Sequence, residues 1–304
     1  MKFGKIAAIS LSVLLATSML AACGKKTGGS YVPKELKVQF VPSQNAETLE
    51  AKAKPLEGLL SKQLGIPVKV SVSTSYNTII EAMASKQVDV GFLPPNTYVL
   101  AHDEKKAADV LLQAQRFGVN DATGQPTTDL VDFYKSMIVV KADSPIKTVK
   151  DLKGKKIAWQ DVTSSAGYVW PAATLLNEGL NPEKDVTGVT VKGHDKAILA
   201  LLNGEVDAAA VFQDIRVQMK DVPDAVAKTR VLAFTEKIPN DTISVRNDMD
   251  ADFRKKLSDA FIAIGKDPEG KKIIADVYSH QGYVASEDKN FNIVRDYAKK
   301  VGQK

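Results

Sequence analysis

VKVSVSTSYNTIIEAMASKQVDVGFL, residues 68–93, contains the pattern that decides the fold. A run of alternating β-branched residues is followed by a segment whose apolar residues recur at helical spacing, and a second β-branched run ends the stretch. These patterns predict a strand, an amphipathic helix and another strand. A strand-helix-strand unit of this kind is typical of a parallel sheet that is covered by helices.

The alternation continues on both sides of this stretch and then returns in a second half of the chain. LKVQFV at 36–41 and a helical segment at 46–64 precede it, and a helical segment at 96–105 follows it. The second set begins at residue 155, with strands predicted in KKIAW, VTVKG and VDAAAVF. The sequence therefore predicts an α/β protein with two lobes, each a doubly wound, mainly parallel sheet.

The two sets share a register, which indicates two lobes built to one plan. Six pairs of residues at corresponding places are 118 positions apart: Lys37 and Lys155, Tyr76 and His194, Ile80 and Ile198, Ala82 and Ala200, Val88 and Val206, and Asp89 and Asp207. An apolar run at 137–140 and the segment TISVR at 242–246 are predicted to cross between the lobes. We therefore expect one lobe at 36–138 plus 242–304, a second at 139–241, and two hinge crossovers.

The first 22 residues are predicted to be a secretory signal peptide. Two lysines precede an apolar run at 6–19, which is too short for a stable membrane span. LAAC at 20–23 resembles the lipobox of bacterial lipoproteins, so we expect lipidation at Cys23 rather than a buried cysteine. Residues 23–35 are rich in Gly and Lys and are predicted to be a lipidated tether. The protein is then extracytoplasmic and lipid-anchored to the cell membrane.

The composition argues against several classes of function. The formal net charge is +5 and falls to +3 without the two lysines of the signal peptide, so nothing indicates nucleic-acid binding. Cys23 is the only cysteine, which excludes an internal disulfide. His102, His194 and His280 lack the spacing of a zinc site, and the chain has no G-x-S-x-G motif. We therefore expect no cofactor, no metal and no enzyme activity.

TSSAG at 163–167 lies between a predicted strand and a predicted helix. In an α/β lobe, such a loop brings the N-terminus of the helix to the edge where the strands end, and the free backbone N–H groups there favour an anion. Ser164 and Ser165 add hydroxyl donors, and Gly167 permits a close approach. The loop is therefore predicted to bind an anion, with a plain N-cap as the alternative.

Corresponding helix starts in the two lobes should face each other across a cleft. Tyr76 and His194 each begin the second helix of a lobe, and Asn96 and Asp214 each follow a third strand. A matched pair of hydrogen-bonding residues indicates a binding site between the lobes. The alternative is that each residue only packs in its own lobe.

Several segments, taken in order, resemble one family of proteins. They are LKVQFVPSQNAE, SYNTIIEAMASKQVDVGFLPPNTYVLA, DFYKSMIVVKADSPIKTVKDLKGKKIAW, TSSAGYVWP, KGHDKAILALLNGEVDAAAV and KIPNDTISVR. From about Leu36 to past Tyr283, the chain is similar to the solute-binding component of phosphonate, phosphite and phosphate ABC transporters, the PhnD-like family. The resemblance implies a type II periplasmic-binding-protein fold, a small phosphorus oxyanion as ligand, a monomer, and an ABC permease and ATPase as partners.

The resemblance also implies which residues bind the ligand. The segment 164–167 corresponds to a family loop of Ser-Thr-Ser-Gly character, and Ala166 lacks one of its hydroxyl groups. The family's ligand-binding positions correspond to Tyr76, Tyr134, Ser164, Ser165, Ala166, Gly167, His194, Asp214 and Asp241.

Two carboxylates in such a site, Asp214 and Asp241, would repel a dianion. Either the ligand carries an amine, as an aminoalkylphosphonate does, or a carboxylate accepts a hydrogen bond from a protonated P–OH group, which also selects against sulfate. A capping role for either aspartate is the third possibility. Two other functions stay open: binding of a different small oxyanion or organic solute, and a secreted phosphoesterase.

Overall fold

A computed structural model describes residues 30–213 and 215–303 of the chain. The predicted signal peptide, the lipidation site at Cys23 and most of the predicted tether lie outside these residues, as does Asp214. In the described part, no helix is both long enough and apolar enough to cross a membrane. The described residues form two main β-sheets with helices packed against them.

The strands include those predicted from the sequence and several more. They are β1 (Leu36–Phe40), β2 (Val68–Val72), β3 (Val90–Leu93), β4 (Ala108–Val119), β5 (Pro126–Val131), β6 (Phe133–Tyr134), β7 (Ser136–Lys141), β8 (Lys156–Trp159), β9 (Thr187–Thr190), β10 (Ala208–Phe212), β11 (Thr229–Phe234), β12 (Ile238–Pro239), β13 (Thr242–Arg246) and β14 (His280–Ala285).

The helices are α1 (Ala46–Ala53), α2 (Leu56–Leu64), α3 (Tyr76–Ala84), α4 (Pro95–Val99), α5 (Trp170–Asn177), α6 (His194–Asn203), α7 (Ile215–Gln218), α8 (Ala251–Ile264), α9 (Pro268–Tyr278) and α10 (Asn292–Lys300). π-helical turns at Leu100–Glu104 and Ser165–Val169 extend α4 and precede α5, and short 3-10 turns lie at Val149–Leu152 and Asp288–Phe291. The segment predicted as one helix at 46–64 is divided at Pro55, because proline has no backbone N–H to continue the helix.

The larger sheet has seven strands in the order β14-β4-β13-β3-β1-β2, with β5 paired to β4. β2, β1 and β3 run parallel, as the opening stretch predicts. β13, β4, β14 and β5 are antiparallel to their neighbours. The sheet is therefore mixed rather than mainly parallel, because β13 enters from the other lobe and runs against the parallel strands.

The smaller sheet repeats this plan in the order β11-β7-β10-β8-β9. β9, β8 and β10 are parallel, and the crossing strand β7 is antiparallel to β10, as β13 is to β3. The α/β fold with two lobes is confirmed, and each sheet is mixed. The exact lobe boundaries stay a prediction, and the boundary expected between 138 and 139 falls inside β7.

Asp89 and Asp207 occupy equivalent places in the two lobes. Asp89 accepts a hydrogen bond from the backbone N–H of Lys37 at 2.8 Å, and Asp207 accepts one from Lys156 at 2.8 Å. Each aspartate directly precedes one parallel strand, β3 or β10. Its carboxylate thus binds the start of the neighbouring strand, β1 or β8. The shared register of the sequence reflects this shared structure, with a shift of one residue from the predicted pair of Lys37 and Lys155.

Two crossover segments connect the lobes and run side by side. β6 lies in the first crossover and β12 in the second, and the two strands pair antiparallel with Tyr134 opposite Ile238.

A second region of contact lies between α5 of the smaller lobe and α10 of the larger lobe. There the rings of Trp170 and Tyr297 stack with centroids 4.3 Å apart and planes 9° apart. The lobes are therefore in contact with each other in this structure.

Tyr31 binds the start of the described chain to the larger lobe through three contacts. Its hydroxyl donates to Asp89 at 2.9 Å, and its ring centre lies 3.7 Å from the guanidinium carbon of Arg246. Its backbone N–H donates to the carbonyl of Asp248 at 3.1 Å. The residues from Tyr31 onward therefore belong to the folded lobe, in contrast to the prediction that the flexible tether extends to residue 35.

Replacement of Asp89 should destabilise the protein far more than replacement of its counterpart in the other lobe. Asp89 is 2% exposed and lies 3.3 Å from Arg246, whereas Asp207 is exposed. We expect Asp89→Ala to lower the free energy of unfolding by about 3 kcal/mol, because a buried arginine loses a partner. Asp207→Ala should cost about 1 kcal/mol. Urea unfolding of both variants measures the difference, and equal losses would contradict this account.

Candidate functional site

A cavity lies between the two lobes at the ends of their parallel strands. Val41 and Pro94, which follow β1 and β3, line it from the larger lobe, and Ser164, which follows β8, lines it from the smaller lobe. Its volume is about 40 Å³. By the same measure one water molecule needs about 10–15 Å³, so the cavity has room for a compact ligand.

The loop that the sequence predicts as an anion site forms one wall of this cavity. Ser164 caps the following π-helical turn by accepting a hydrogen bond from the N–H of Gly167 at 3.1 Å. An added Cβ at Gly167 would lie 2.2 Å from the Cβ of Gln160, so only glycine permits this close approach. Ser164 and Ala166 line the cavity. The N-cap geometry is therefore present at the edge of the cavity.

Ser165 lies behind the cavity and connects the two lobes. It is fully buried, and its Oγ accepts a hydrogen bond at 2.9 Å from the backbone N–H of Asn96 in α4 of the larger lobe. The side-chain amide of Asn96 donates to the carbonyl of Thr163 at 3.2 Å. Ser165 and Gly167, both predicted ligand residues, thus hold the loop and the lobes in place, while Ser164 and Ala166 face the cavity.

The matched residues Tyr76 and His194 both line the cavity, from opposite lobes. Burial raises the pKa of the Tyr76 hydroxyl, and a hydrogen bond with Ser164 partly opposes this shift. Burial lowers the pKa of His194 to about 3, so its imidazole is neutral at neutral pH. Its Nδ1 is buried without a hydrogen-bond partner among the described residues. Both side chains can therefore serve as neutral hydrogen-bonding groups for a ligand.

Asp241 and Tyr134 reach the cavity from the crossover segments. The Asp241 carboxylate lies 3.7 Å from an Nη atom of Arg116 and 3.5 Å from Nε2 of His280, and all three side chains are largely buried. The guanidinium carbon of Arg116 lies 4.8 Å from the centre of the Tyr134 ring. Burial raises the pKa of Tyr134 and lowers that of His280, so Arg116 supplies the permanent positive charge.

Arg116, Gln218 and Tyr278 also line the cavity but were missed by the sequence analysis. Arg116 lies in β4, a strand that was not predicted. The signal was present, because Leu112, Ala114 and Arg116 alternate along β4 on its buried side, so the arginine continues an apolar face. An arginine at such a position is buried inside its own lobe and is a candidate for anion binding.

The chemistry of the cavity suits a compact oxyanion. Its lining offers hydroxyl, imidazole and guanidinium donors, and one carboxylate that can accept a hydrogen bond from a protonated ligand oxygen. No group of three or more potential metal ligands occurs within 30–213 and 215–303. Asp214, the remaining predicted ligand residue, lies outside the described residues.

The curated proteins that are similar in sequence include two with related names. The phosphate-import protein PhnD of Mycolicibacterium smegmatis is 29% identical over 224 residues, which cover 68% of this chain and 65% of that protein. The match therefore spans slightly less than two thirds of the relative. The phosphonates-binding periplasmic protein of Escherichia coli is 24% identical over 246 residues, or 79% of this chain and 69% of that protein.

The fold is similar to that of solved binding proteins. The structure of PhnD1 from Prochlorococcus marinus in complex with methylphosphonate matches with a TM-score of 0.76 at 20% identity, and the match covers 90% of this chain and 100% of that chain. At this identity, the likeness concerns the fold alone.

A family model covers most of the chain. The family is described as the periplasmic substrate-binding protein of phosphonate ABC transporters, and its model matches residues 38–291. These residues include the smaller sheet, all of the larger sheet except the first two residues of β1, and every described residue of the cavity. The chain therefore belongs to the family of periplasmic substrate-binding proteins of phosphonate ABC transporters.

Proposed function

We propose that the protein is an extracytoplasmic solute-binding protein that captures phosphonate, phosphite or phosphate for an ABC importer. The observation that carries the proposal is a compact cavity lined from both lobes by hydrogen-bond donors. Family membership and the names of the relatives, which concern phosphate and phosphonate, support the same ligand class. A phosphorus oxyanion has several acceptor oxygens at short distances from one another, which matches convergent donors.

Most of the ligand's oxygens would be held by neutral donors. Ser164 offers a hydroxyl beside the N-terminus of a helix, where the backbone favours negative charge. Tyr76, Tyr134 and His194 approach from other sides of the cavity. Arg116 adds a charged donor, but Asp241 lies close to it and offsets its charge. The site therefore binds by directed hydrogen bonds more than by net charge.

Ligand binding would favour the closed arrangement of the lobes. Tyr76 belongs to the larger lobe and Ser164 and His194 to the smaller lobe, so one ligand bridges them only when the lobes meet. Backbone bonds already join the lobes beside the cavity: His194 N–H donates to the carbonyl of Ser43 at 2.9 Å. A ligand that binds the closed form more tightly increases its population, and bending of the paired crossovers would open it.

The proposal includes delivery to partners and attachment to the membrane. The closed form would be recognised by a membrane permease that works with a cytoplasmic ATPase, and the protein itself would not be an enzyme. The protein would be a monomer, and lipidation at Cys23 would anchor it to the cell membrane on the extracytoplasmic side, close to the permease.

A panel of ligands tests the proposed class directly. We expect at least one of phosphate, phosphite, methylphosphonate and 2-aminoethylphosphonate to raise the melting temperature, because a ligand at a hundred times its Kd adds about 2.7 kcal/mol of stability. Sulfate should have little effect, because it carries no proton for Asp241 to accept. Thermal shift followed by calorimetry measures both. Stabilisation by a non-phosphorus solute alone, or turnover of a phosphate ester, would replace the proposed function by one of the alternatives.

Loss of the Ser164 hydroxyl should weaken ligand binding. We expect Ser164→Ala to reduce the affinity for the best phosphorus ligand by about 1.5–3 kcal/mol, the cost of a lost hydrogen bond to a charged group. Ser75→Ala is the matched control, because Ser75 is a half-buried N-cap that accepts from Thr78 N–H at 3.0 Å and does not line the cavity. It should cost stability but not affinity. Calorimetry on both variants distinguishes the two effects, and unchanged affinity in Ser164→Ala would place the anion elsewhere.

Replacement of Asp241 should change the selectivity among anions. The carboxylate repels fully ionised ligands and accepts a hydrogen bond from P–OH, so Asp241→Asn should lower the preference for phosphate over sulfate by about tenfold, or 1.4 kcal/mol. If Asp241 instead pairs with a ligand amine, the loss should be confined to 2-aminoethylphosphonate. Competition titrations with the three ligands measure the ratios, and unchanged ratios would exclude both roles.

A further inference from the structure

A second, larger cavity adjoins the first. It has a volume of about 230 Å³, compared with about 40 Å³ for the inner cavity. Among the described residues, Arg116 and Tyr134 line both cavities. These two side chains therefore form the partition between the inner cavity and the outer one.

The partition is held in place from several sides. The Arg116 guanidinium lies against the Tyr134 ring at 4.8 Å and is drawn toward Asp241 at 3.7 Å. Tyr134 is 8% exposed, and its backbone is fixed by pairing with Ile238 across the two crossovers. A wall built on the paired crossovers does not need to move when the lobes close. It can therefore set the size of the inner cavity.

The outer cavity has a different chemical character. Phe117, Val131 and Phe133 supply apolar surface, and the Nζ of Lys237 lies 4.0 Å from the centre of the Phe133 ring. Lys135 at the same cavity is paired with Asp121 at 2.6 Å. Lys237 has no carboxylate within ion-pair distance among the described residues, so its charge is available to a ligand.

We propose that the stacked Arg116 and Tyr134 side chains select the ligand by size. They restrict the inner cavity to phosphorus oxyanions with a short substituent and separate it from an outer cavity whose walls suit a longer chain ending in a carboxylate. The inference rests on the proposed function, because it assumes that a phosphorus oxyanion occupies the inner cavity. Tyr134 is then a specificity-determining residue, and its removal should join the two cavities.

The test compares two phosphonates that differ in the length of the substituent. Calorimetry gives the Kd of methylphosphonate and of 6-phosphonohexanoate for the full chain without its signal peptide. We expect the wild-type protein to prefer methylphosphonate by about a hundredfold or more, which corresponds to about 2.7 kcal/mol. In Tyr134→Ala this preference should fall by about tenfold or more, because the chain can enter the outer cavity.

Phe117→Ala is the matched control. Phe117 lines the outer cavity but not the inner cavity. Its truncation enlarges the outer cavity without removing the partition, so the preference for methylphosphonate should stay in place. If Tyr134→Ala does not fold, Tyr134→Leu is used instead, because a leucine keeps part of the packing while it removes the ring.

The outer cavity is tested separately through Lys237. In the Tyr134→Ala background, Lys237→Gln should weaken 6-phosphonohexanoate by about two- to fivefold, as expected for one exposed charge pair, and should leave hexylphosphonate unchanged. Lys237→Gln alone should not affect methylphosphonate.

The outcomes separate the inference from the proposed function. Wild-type protein that binds the two phosphonates equally, or an unchanged preference in Tyr134→Ala, would overturn the partition. An equal loss of preference in Phe117→Ala would overturn it as well, because a larger outer cavity would then suffice without removal of the partition. Absence of binding of phosphate, phosphite, methylphosphonate and 2-aminoethylphosphonate to the wild-type protein would overturn the proposed function and the partition together.

Discussion

The pairing of the two crossovers is the constraint on which the rest of the structure depends. β6 and β12 join the lobes as one short ladder, and the crossing strands β7 and β13 continue into the two sheets. The parallel strands of both lobes therefore end at a common cleft. Tyr134 and Asp241 lie on these crossovers, so the connection between the lobes is also a wall of the cavity.

The charges of the cavity favour selection between similar anions more than strong attraction of any anion. Among the described lining residues, Arg116 and Asp241 carry the permanent charges, and they lie close enough to offset each other. His194 is kept neutral by burial, and the tyrosines keep their protons. If the proposed function holds, a ligand would be distinguished by where its oxygens and protons point, which is the property that separates similar tetrahedral anions.

The sequence predicts the repeated part of the fold better than the part that joins it. The pattern of 68–93 and the shared register identify the parallel strands and α3 and α6. The helices show regular spacing because one face is buried, and the strands are short runs rich in apolar residues, buried throughout in β3. β4, β5, β11 and β14 were missed because β4 is a long strand with mixed burial and the other three are edge strands, of which β5 is almost entirely exposed. Arg116 was missed with β4, whereas the helix starts at Tyr76 and His194 followed directly from the register.

The stacked rings of Trp170 and Tyr297 give the protein an optical property. The chain has two tryptophans, and the other, Trp159, packs against Tyr168 within the smaller lobe. Trp170 is fully buried against a ring of the opposite lobe. Separation of the lobes would take that ring away and expose the indole to water. Its emission would then shift while that of Trp159 stayed constant, so the native protein would contain both a reporter of any lobe movement and an internal reference.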